Sequence, residues 1–422
     1  MKKNIEKPEL LLPAGSLSKL KTAFLYGADA VYAGTPEMSL RAKSHFHTEE
    51  MEEGIRFAHD AGKKVYLALN LFSHNKDIER LGFFIKTLKS LNPDGVIVSD
   101  PGIFQYVKKE IPSMPLHIST QANVCSRLTT DFWKNMGAKL CVLGREVSFR
   151  EACEIREKCR DIKLEIFIHG AMCISYSGRC LMSAFMASRS ANQGICAHSC
   201  RWKYKSRLVM EEELRPGEYL TMEEDEHGSY ILNSKDLCLM QKLDKILQTG
   251  FDSLKIEGRN KSQYYVAQTA RVYRKAIDDY FENAANWTSG LYMEELKTLQ
   301  NRGYTTGFFD GIPDSGAQDY DDTSSKSSWR NIGYVKENKD GYLIVDLRNK
   351  IQKGDKIELL SPYKFEPETI IIDKMYDGFD GSPTETIAPG RENQTVKIPI
   401  NPKTSALFPK LTVLRAFAGG KL

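Results

Sequence analysis

Between Glu9 and Ile256 the chain repeats one unit eight times: a short apolar run, a polar or glycine-bearing end, then an amphipathic segment. The runs occupy positions 9–12, 30–32, 65–69, 95–98, 116–119, 140–143, 164–168 and 253–256. Each is too short for a helix and rich in Val, Ile, Leu or Tyr, as strands covered on both faces are. The segments between them carry helix punctuation. Ser16 caps a segment in which Leu17, Leu20, Ala23 and Phe24 share a face, and Gly27 stops it. Thr48 is expected to cap the next, with Met51, Ile55 and Ala58 on one side and Gly62 at its end. Asp100-Pro101 reads as an N-cap followed by proline at the first helical position. Ser148 and Glu151 have capping-box spacing.

Eight such units imply an α/β chain folded as a (β/α)8 TIM-like barrel. The rival architecture, an open doubly wound sheet, calls for a glycine-rich phosphate turn after the first strand. Here that turn is Pro13-Ala14-Gly15-Ser16, which does not match. Strands one to seven follow one another at short intervals, but about 85 residues separate strand seven from strand eight. This enlarged loop lies over the C-terminal mouth of the barrel, where reacting groups of such folds collect. After strand eight, helices are expected over 260–281 and 292–301. Residues 314–328 are polar, a linker by composition. Beyond it, runs at 332–335, 342–347, 356–360, 368–374 and 394–400 are separated by Asp-Gly or Gly-Asp turns. The expected domains are a barrel over 1–313, a linker over 314–328, and a small all-β, barrel-like domain over 329–422.

Composition narrows the function. A hydrophobic content of 41% and a charged content of 27% suit a globular chain. No apolar run approaches the ~18–20 residues needed to span a bilayer, and the opening MKKNIEKPELLLPAG is too short in apolar residues for a secretory signal. A cytoplasmic location without membrane partners is expected. Thiols stay reduced there, so nine cysteines are not a disulfide framework. The net charge of +4 allows an RNA partner without demanding one.

Four cysteines, Cys173, Cys180, Cys196 and Cys200, fall in the enlarged loop directly after strand seven, and Cys238 follows in NSKDLC. Five thiols around one strand end point to a metal or a cluster. Zinc ribbons pair cysteines two to four residues apart, and the six residues between Cys173 and Cys180 fit that poorly. Iron–sulfur clusters accept irregular spacing and need four thiolates. Zinc remains the weaker alternative on spacing. Cys125, Cys141, Cys153 and Cys159 read as packing residues.

The run Glu165–Cys173 (EIFIHGAMC), with Gly178-Arg179-Cys180-Leu181-Met182-Ser183, resembles the signature of the collagenase-like peptidase family U32. The resemblance extends through LLLPAGS, GADAVYAG, ISTQANV, NQGICAHSCRWKY and NSKDLC, and so covers most of the barrel. It is nearest to the tRNA hydroxylation branch of that family, in its longer, Bacillus-like form, whose C-terminal domain the small β domain resembles. That branch implies an enzyme that converts the wobble uridine of the tRNA anticodon loop to 5-hydroxyuridine, with prephenate as hydroxyl source and a paralogue as possible partner. It implies a 4Fe-4S cluster on Cys173, Cys180, Cys196 and Cys238, leaving Cys200 spare, although a swap of Cys196 and Cys200 would still give four ligands. The family name implies proteolysis instead, and a non-catalytic iron–sulfur scaffold is the third class.

Charged and aromatic residues add to that set. Arg201, Trp202, Lys203, Tyr204 and Lys205, with Arg207, interleave cations and aromatic rings, which suits an unpaired RNA strand, or equally a solvated edge strand. Arg41, Arg145-Glu146, Glu257 and Arg259 stand at strand ends. A dicarboxylate such as prephenate would need arginines there, and ion pairs closing the rim are the plainer reading. His169, ending strand seven, is the best-placed acid–base group, with Arg145 and Glu257 beside it as catalytic candidates. For a protease, neither His-Glu-x-x-His nor Gly-x-Ser-x-Gly is present, and a cysteine nucleophile would have to use His169 or His198.

Overall fold

The computed structural model describes residues 5–34, 46–70, 74–172, 197, 199, 210–211, 219–220, 224–225, 228–229, 235–311, 327–390 and 394–418. Seven strands follow in chain order: β1 (Glu9–Ala14), β2 (Ala30–Gly34), β3 (Lys64–Leu69), β4 (Gly95–Val98), β5 (Leu116–Ile118), β6 (Leu140–Val142) and β7 (Lys163–Ala171). Each pairs in parallel with the next. Two later strands join the same sheet: β8 (Asp236–Cys238) and β9 (Ser253–Ile256). β9 pairs in parallel with both β1 and β7, which closes an eight-stranded barrel as the repeat requires.

Helices alternate with the strands: α1 (Leu17–Leu25), α2 (Thr48–Asp60), α3 (Asn75–Leu91), α4 (Pro101–Glu110), α5 (Arg127–Met136), α6 (Phe149–Lys158) and α7 (Leu243–Thr249). Their starts follow local chemistry. The Asp100 carboxylate accepts from the Ile103 amide at 3.0 Å, with Pro101 next to it. Ser148 and Glu151 cap α6 reciprocally, at 3.4 Å and 2.9 Å. At α2 the expectation misses by one residue: His47 is the cap and Thr48 is already helical, because the capping box is completed by Glu50 rather than Met51.

The barrel interior contains the apolar cluster of Leu11, Ala30, Tyr32, Tyr66 and Ile97. Charges interrupt it near β7 and β9. The chain divides into two compact units, one of residues 1–20, 29–260 and 301–325, the other of 21–28, 261–300 and 326–422. The second unit therefore includes α8 (Gln263–Asn283) and α9 (Gly290–Lys297) together with the C-terminal strands. Most of the expected linker, residues 314–326, lies outside the described residues.

The C-terminal strands form a seven-stranded antiparallel sheet, with Trp329–Lys339 at its centre between Val413–Phe417 and Tyr342–Leu347. Its inner face packs Ile332, Val335, Leu343, Val345, Ile357, Leu359, Val396, Phe408 and Leu414 into one core. Among the described residues no helix is long and apolar enough to cross a membrane.

Candidate functional site

β7 is the longest barrel strand, and its upper end outruns the barrel. Its lower residues pair in parallel with β6 and β9. Past Ile168 it acquires a different neighbour. β8 runs back antiparallel against it, with Asp236 opposite Ala171, Leu237 opposite Gly170 and Cys238 opposite His169. The Leu239 amide donates to the Ile168 carbonyl at 2.9 Å, which locks that register. A short strand β10 (Tyr304–Thr305) then pairs in parallel with β8. A three-stranded ribbon thus stands on the C-terminal rim of the barrel.

Directly opposed residues of an antiparallel pair project from the same face, so the Cys238 thiol and the His169 imidazole are neighbours. The Tyr304 ring lies 5.5 Å from the imidazole, tilted by 56°. His169 is 1% exposed and Cys238 5%. Asp236 and Arg302, both buried, form an ion pair that braces β8. The close approach depends on Gly170. Its φ is +119°, and a Cβ there would meet the Glu257 carbonyl oxygen at 2.5 Å. Any side chain at 170 would push β7 off the residue after β9.

Below the ribbon the barrel interior is charged. Lys255 Nζ donates to Glu165 Oε1 at 2.7 Å, and Ser253 Oγ donates to the other carboxylate oxygen at 2.8 Å. The ammonium lies 4.4 Å from the Tyr32 ring centroid and 5.6 Å from that of Phe167. Two arginines share those rings: Arg259 is 5.8 Å from Tyr32, and Arg145 is 4.2 Å from Phe167. Arg145 Nη1 also donates to the Ala171 carbonyl at 2.8 Å, and its buried Nε has no hydrogen-bond partner among the described residues. Burial lowers the proton affinity of Lys255; Glu165 opposes this, and Arg259 and Arg145 add to it. Three cations therefore share two rings inside the barrel, and Glu257 and His169 are both buried.

Of the residues singled out in the sequence, His169, Arg145, Glu257, Arg259 and Cys238 are thus brought to one end of the barrel. Glu146 serves its own loop, accepting from Asn123 Nδ2 at 3.2 Å and from the Cys125 thiol at 3.6 Å. Cys173, Cys180, Cys196 and Cys200, His198, Arg41, and the run Arg201, Trp202, Lys203, Tyr204, Lys205 and Arg207 lie outside the described residues. Lys255, Glu165, Tyr32 and Tyr304 do not stand out as site residues in the sequence. The available signal is a lysine and a glutamate each flanked by apolar residues inside the barrel strands SLKI and LEIFI.

The described cysteines separate into two kinds. Cys141 is fully buried and its thiol is pushed up to about 12 by burial. Cys125 is pushed to about 12 by burial and by Glu146. Cys153 and Cys159 are tied to Thr249, and to Arg127 and Asp131. Such thiols are packed and inert. Cys238 differs in place: it sits at the mouth, opposite His169, where β7 runs on to Met172 and, next in sequence, to Cys173. Among the described residues no three His, Cys, Asp or Glu side chains are grouped to hold a metal. A metal centre here needs thiols from the stretch between β7 and β8, and the soft thiolate donors of that stretch suit an iron–sulfur cluster.

The chain matches the model of peptidase family U32 over residues 15–319 and that of the peptidase family U32 C-terminal domain over residues 327–408. It is 41% identical over 394 residues to tRNA hydroxylation protein P of Escherichia coli, covering 84% of this chain and 86% of the relative. It is 40% identical over 376 residues to tRNA hydroxylation protein P1 of Bacillus subtilis, covering 88% and 87%. A relative named collagenase, from Porphyromonas gingivalis, is 30% identical over 321 residues, covering 73% and 75%.

Proposed function

This chain belongs to peptidase family U32, and from that premise we propose that it is a tRNA hydroxylase of the cytoplasm, converting the wobble uridine of the anticodon loop to 5-hydroxyuridine. The observation that carries the reading is the pairing of Cys238 with His169 at the barrel mouth, in a chain about 40% identical to relatives named for tRNA hydroxylation. Cys173, Cys180, Cys196 and Cys238 would hold a 4Fe-4S cluster, with Cys200 as the spare thiol. When bound, such a cluster supplies electron transfer or a Lewis-acidic iron.

The chain's own residues do the rest. His169, buried and fixed by the β8 register, holds or moves a proton beside the reacting base. Arg145 and Arg259 neutralise the carboxylates of a dicarboxylate co-substrate such as prephenate. Glu257, at the β9 end against Gly170, orients that ligand or takes its proton. The basic and aromatic run from Arg201 to Tyr204 holds the unpaired anticodon loop by phosphate pairing and base stacking.

Anaerobically purified protein is expected to carry iron and sulfide and to absorb in the visible. Protein lacking both would remove the cluster. The proteolytic reading is favoured by one observation, the Cys238–His169 adjacency, which could be a nucleophile and its base. It leaves the other clustered thiols without a role. Cleavage of gelatin that is lost in Cys238→Ser but survives removal of iron would establish it.

A further inference from the structure

We infer that Lys255, braced by Glu165, is the floor of a carboxylate-binding seat completed by Arg145 and Arg259, which takes a small organic acid. The inference rests on the co-substrate reading above, and adds to it the residue at the centre of the site.

Three observations carry it. First, the Glu165–Lys255 pair is not explained by stability. The interior of an eight-stranded barrel is ordinarily filled with branched apolar side chains. Replacing a buried ion pair with hydrocarbon of similar volume is commonly neutral or stabilising. Their neighbours along β7 and β9, Leu164, Ile166, Leu254 and Ile256, are apolar, so two apolar residues would fit the pattern of the chain.

Second, the pair is unequally satisfied. Both oxygens of Glu165 are used, one by Lys255 and one by Ser253. The ammonium has three protons and, among the described residues, makes one hydrogen bond. Its other neighbours are the Tyr32 and Phe167 rings, which steady a cation without accepting a conventional hydrogen bond. Lys255 is therefore held in place with donor capacity to spare, at 5% side-chain exposure.

Third, Lys255 has two cationic neighbours. Arg145 and Arg259 share the same two rings, and both act electrostatically on Lys255. Among the described residues the carboxylates nearest these cations are Glu165 and Glu257, and Glu9, paired with Lys64, acts on Glu165 from the same interior. The buried Nε of Arg145 is a further donor without an acceptor among the described residues. A carboxylate accepts bonds from these spare donors in a water-poor site.

The test is ligand binding measured by calorimetry on the full chain without tRNA, with prephenate and succinate as probes. The double variant Glu165→Leu/Lys255→Met removes the pair together, so no charge is stranded. It is expected to melt near the parent temperature, to keep its iron, and to bind either acid at least tenfold more weakly. Should it fail to fold, Lys255→Gln keeps a donor for Glu165 and is expected to weaken binding in the same direction. Equal binding by a folded variant overturns the inference while leaving the co-substrate reading intact. A parent that binds succinate but not prephenate, in a Lys255-dependent way, supports the seat and removes prephenate. A parent that binds neither acid overturns the inference.

Discussion

Two clusters of buried charge stand in this molecule, and they are built differently. In the second unit Arg415 is 2% exposed and saturated. It grips Glu295 with both terminal nitrogens at 3.0 Å, donates to Thr298 at 3.0 Å and to Glu358 at 2.8 Å, and stacks on Trp329 at 4.4 Å. Arg271 shares Glu295 and is also bonded to Gln268 and to the Phe365 carbonyl. Every arm is used, and the cluster joins α8 and α9 to the C-terminal sheet. The barrel cluster is the opposite case. Among the described residues Lys255 has one bond and Arg145 has an idle buried donor. Saturation marks a structural device, and surplus donors mark a place for a ligand.

Mutation should separate the two clusters. Glu295→Ala strands two buried arginines and is expected to cost the second unit about 3 to 5 kcal/mol, read by chemical denaturation. Carboxylate binding by the folded protein should not change. Unaltered stability would mean that the cluster is ornamental. In the barrel, Lys255→Met alone leaves Glu165 buried and uncompensated, and is expected to cost a similar ~3 to 5 kcal/mol, whereas adding Glu165→Leu should recover most of it. A double variant as unstable as the single one would show the pair to be structural after all.

Acid should separate the two units. His117, packed on Tyr66 at 4.6 Å, is held down to about 3 by burial and by Lys255, Lys163 and Lys64, against an ordinary value of 6.5. Below 6.5 the unfolded chain takes up a proton that the folded barrel refuses, so barrel stability falls as pH drops from there towards 3. For Glu295, burial pushes the carboxyl up, but Arg271 and Arg415 overcome this and hold it below its ordinary 4.5. Its contribution is intact above that value and is lost only as pH falls further. Denaturation followed by near-ultraviolet signals of each unit should therefore show the barrel weakening first. His117→Phe should flatten the barrel's slope.

The smallest effect is expected at the α6 cap beside Arg145. Ser148→Ala removes half of a capping box and should cost about 1 kcal/mol. If it also weakens carboxylate binding, the Arg145 turn depends on that cap for its position.

The barrel is legible in the sequence because its strands are short apolar runs with caps between them. All eight runs proposed from the sequence fall on barrel strands, and Asp100 and Ser148 cap the helices expected of them. The mouth is partly legible: His169, Glu257, Arg145 and Arg259, singled out at strand ends, lie together at one end of the barrel. The return of β8 onto β7 is not, because a three-residue strand carries no period to read, and nothing local says that Cys238 will face His169. Lys255 is hidden by its own strand, where one lysine among four residues passes for a solvent-facing position. The strand Val413–Phe417 escapes for the same reason, since Arg415 is a fully buried charge in an apolar run.

On the reading proposed above, the Cys238–His169 end of β7 is the cluster-bearing site of a tRNA hydroxylase. It is tested most directly by mass spectrometry of tRNA nucleosides from a host that has lost its own 5-hydroxyuridine activity and carries either this chain or its Cys238→Ala variant. The expected result is 5-hydroxyuridine with the parent chain and none with the variant, at equal protein levels. Full 5-hydroxyuridine with Cys238→Ala, or none with the parent, would contradict it.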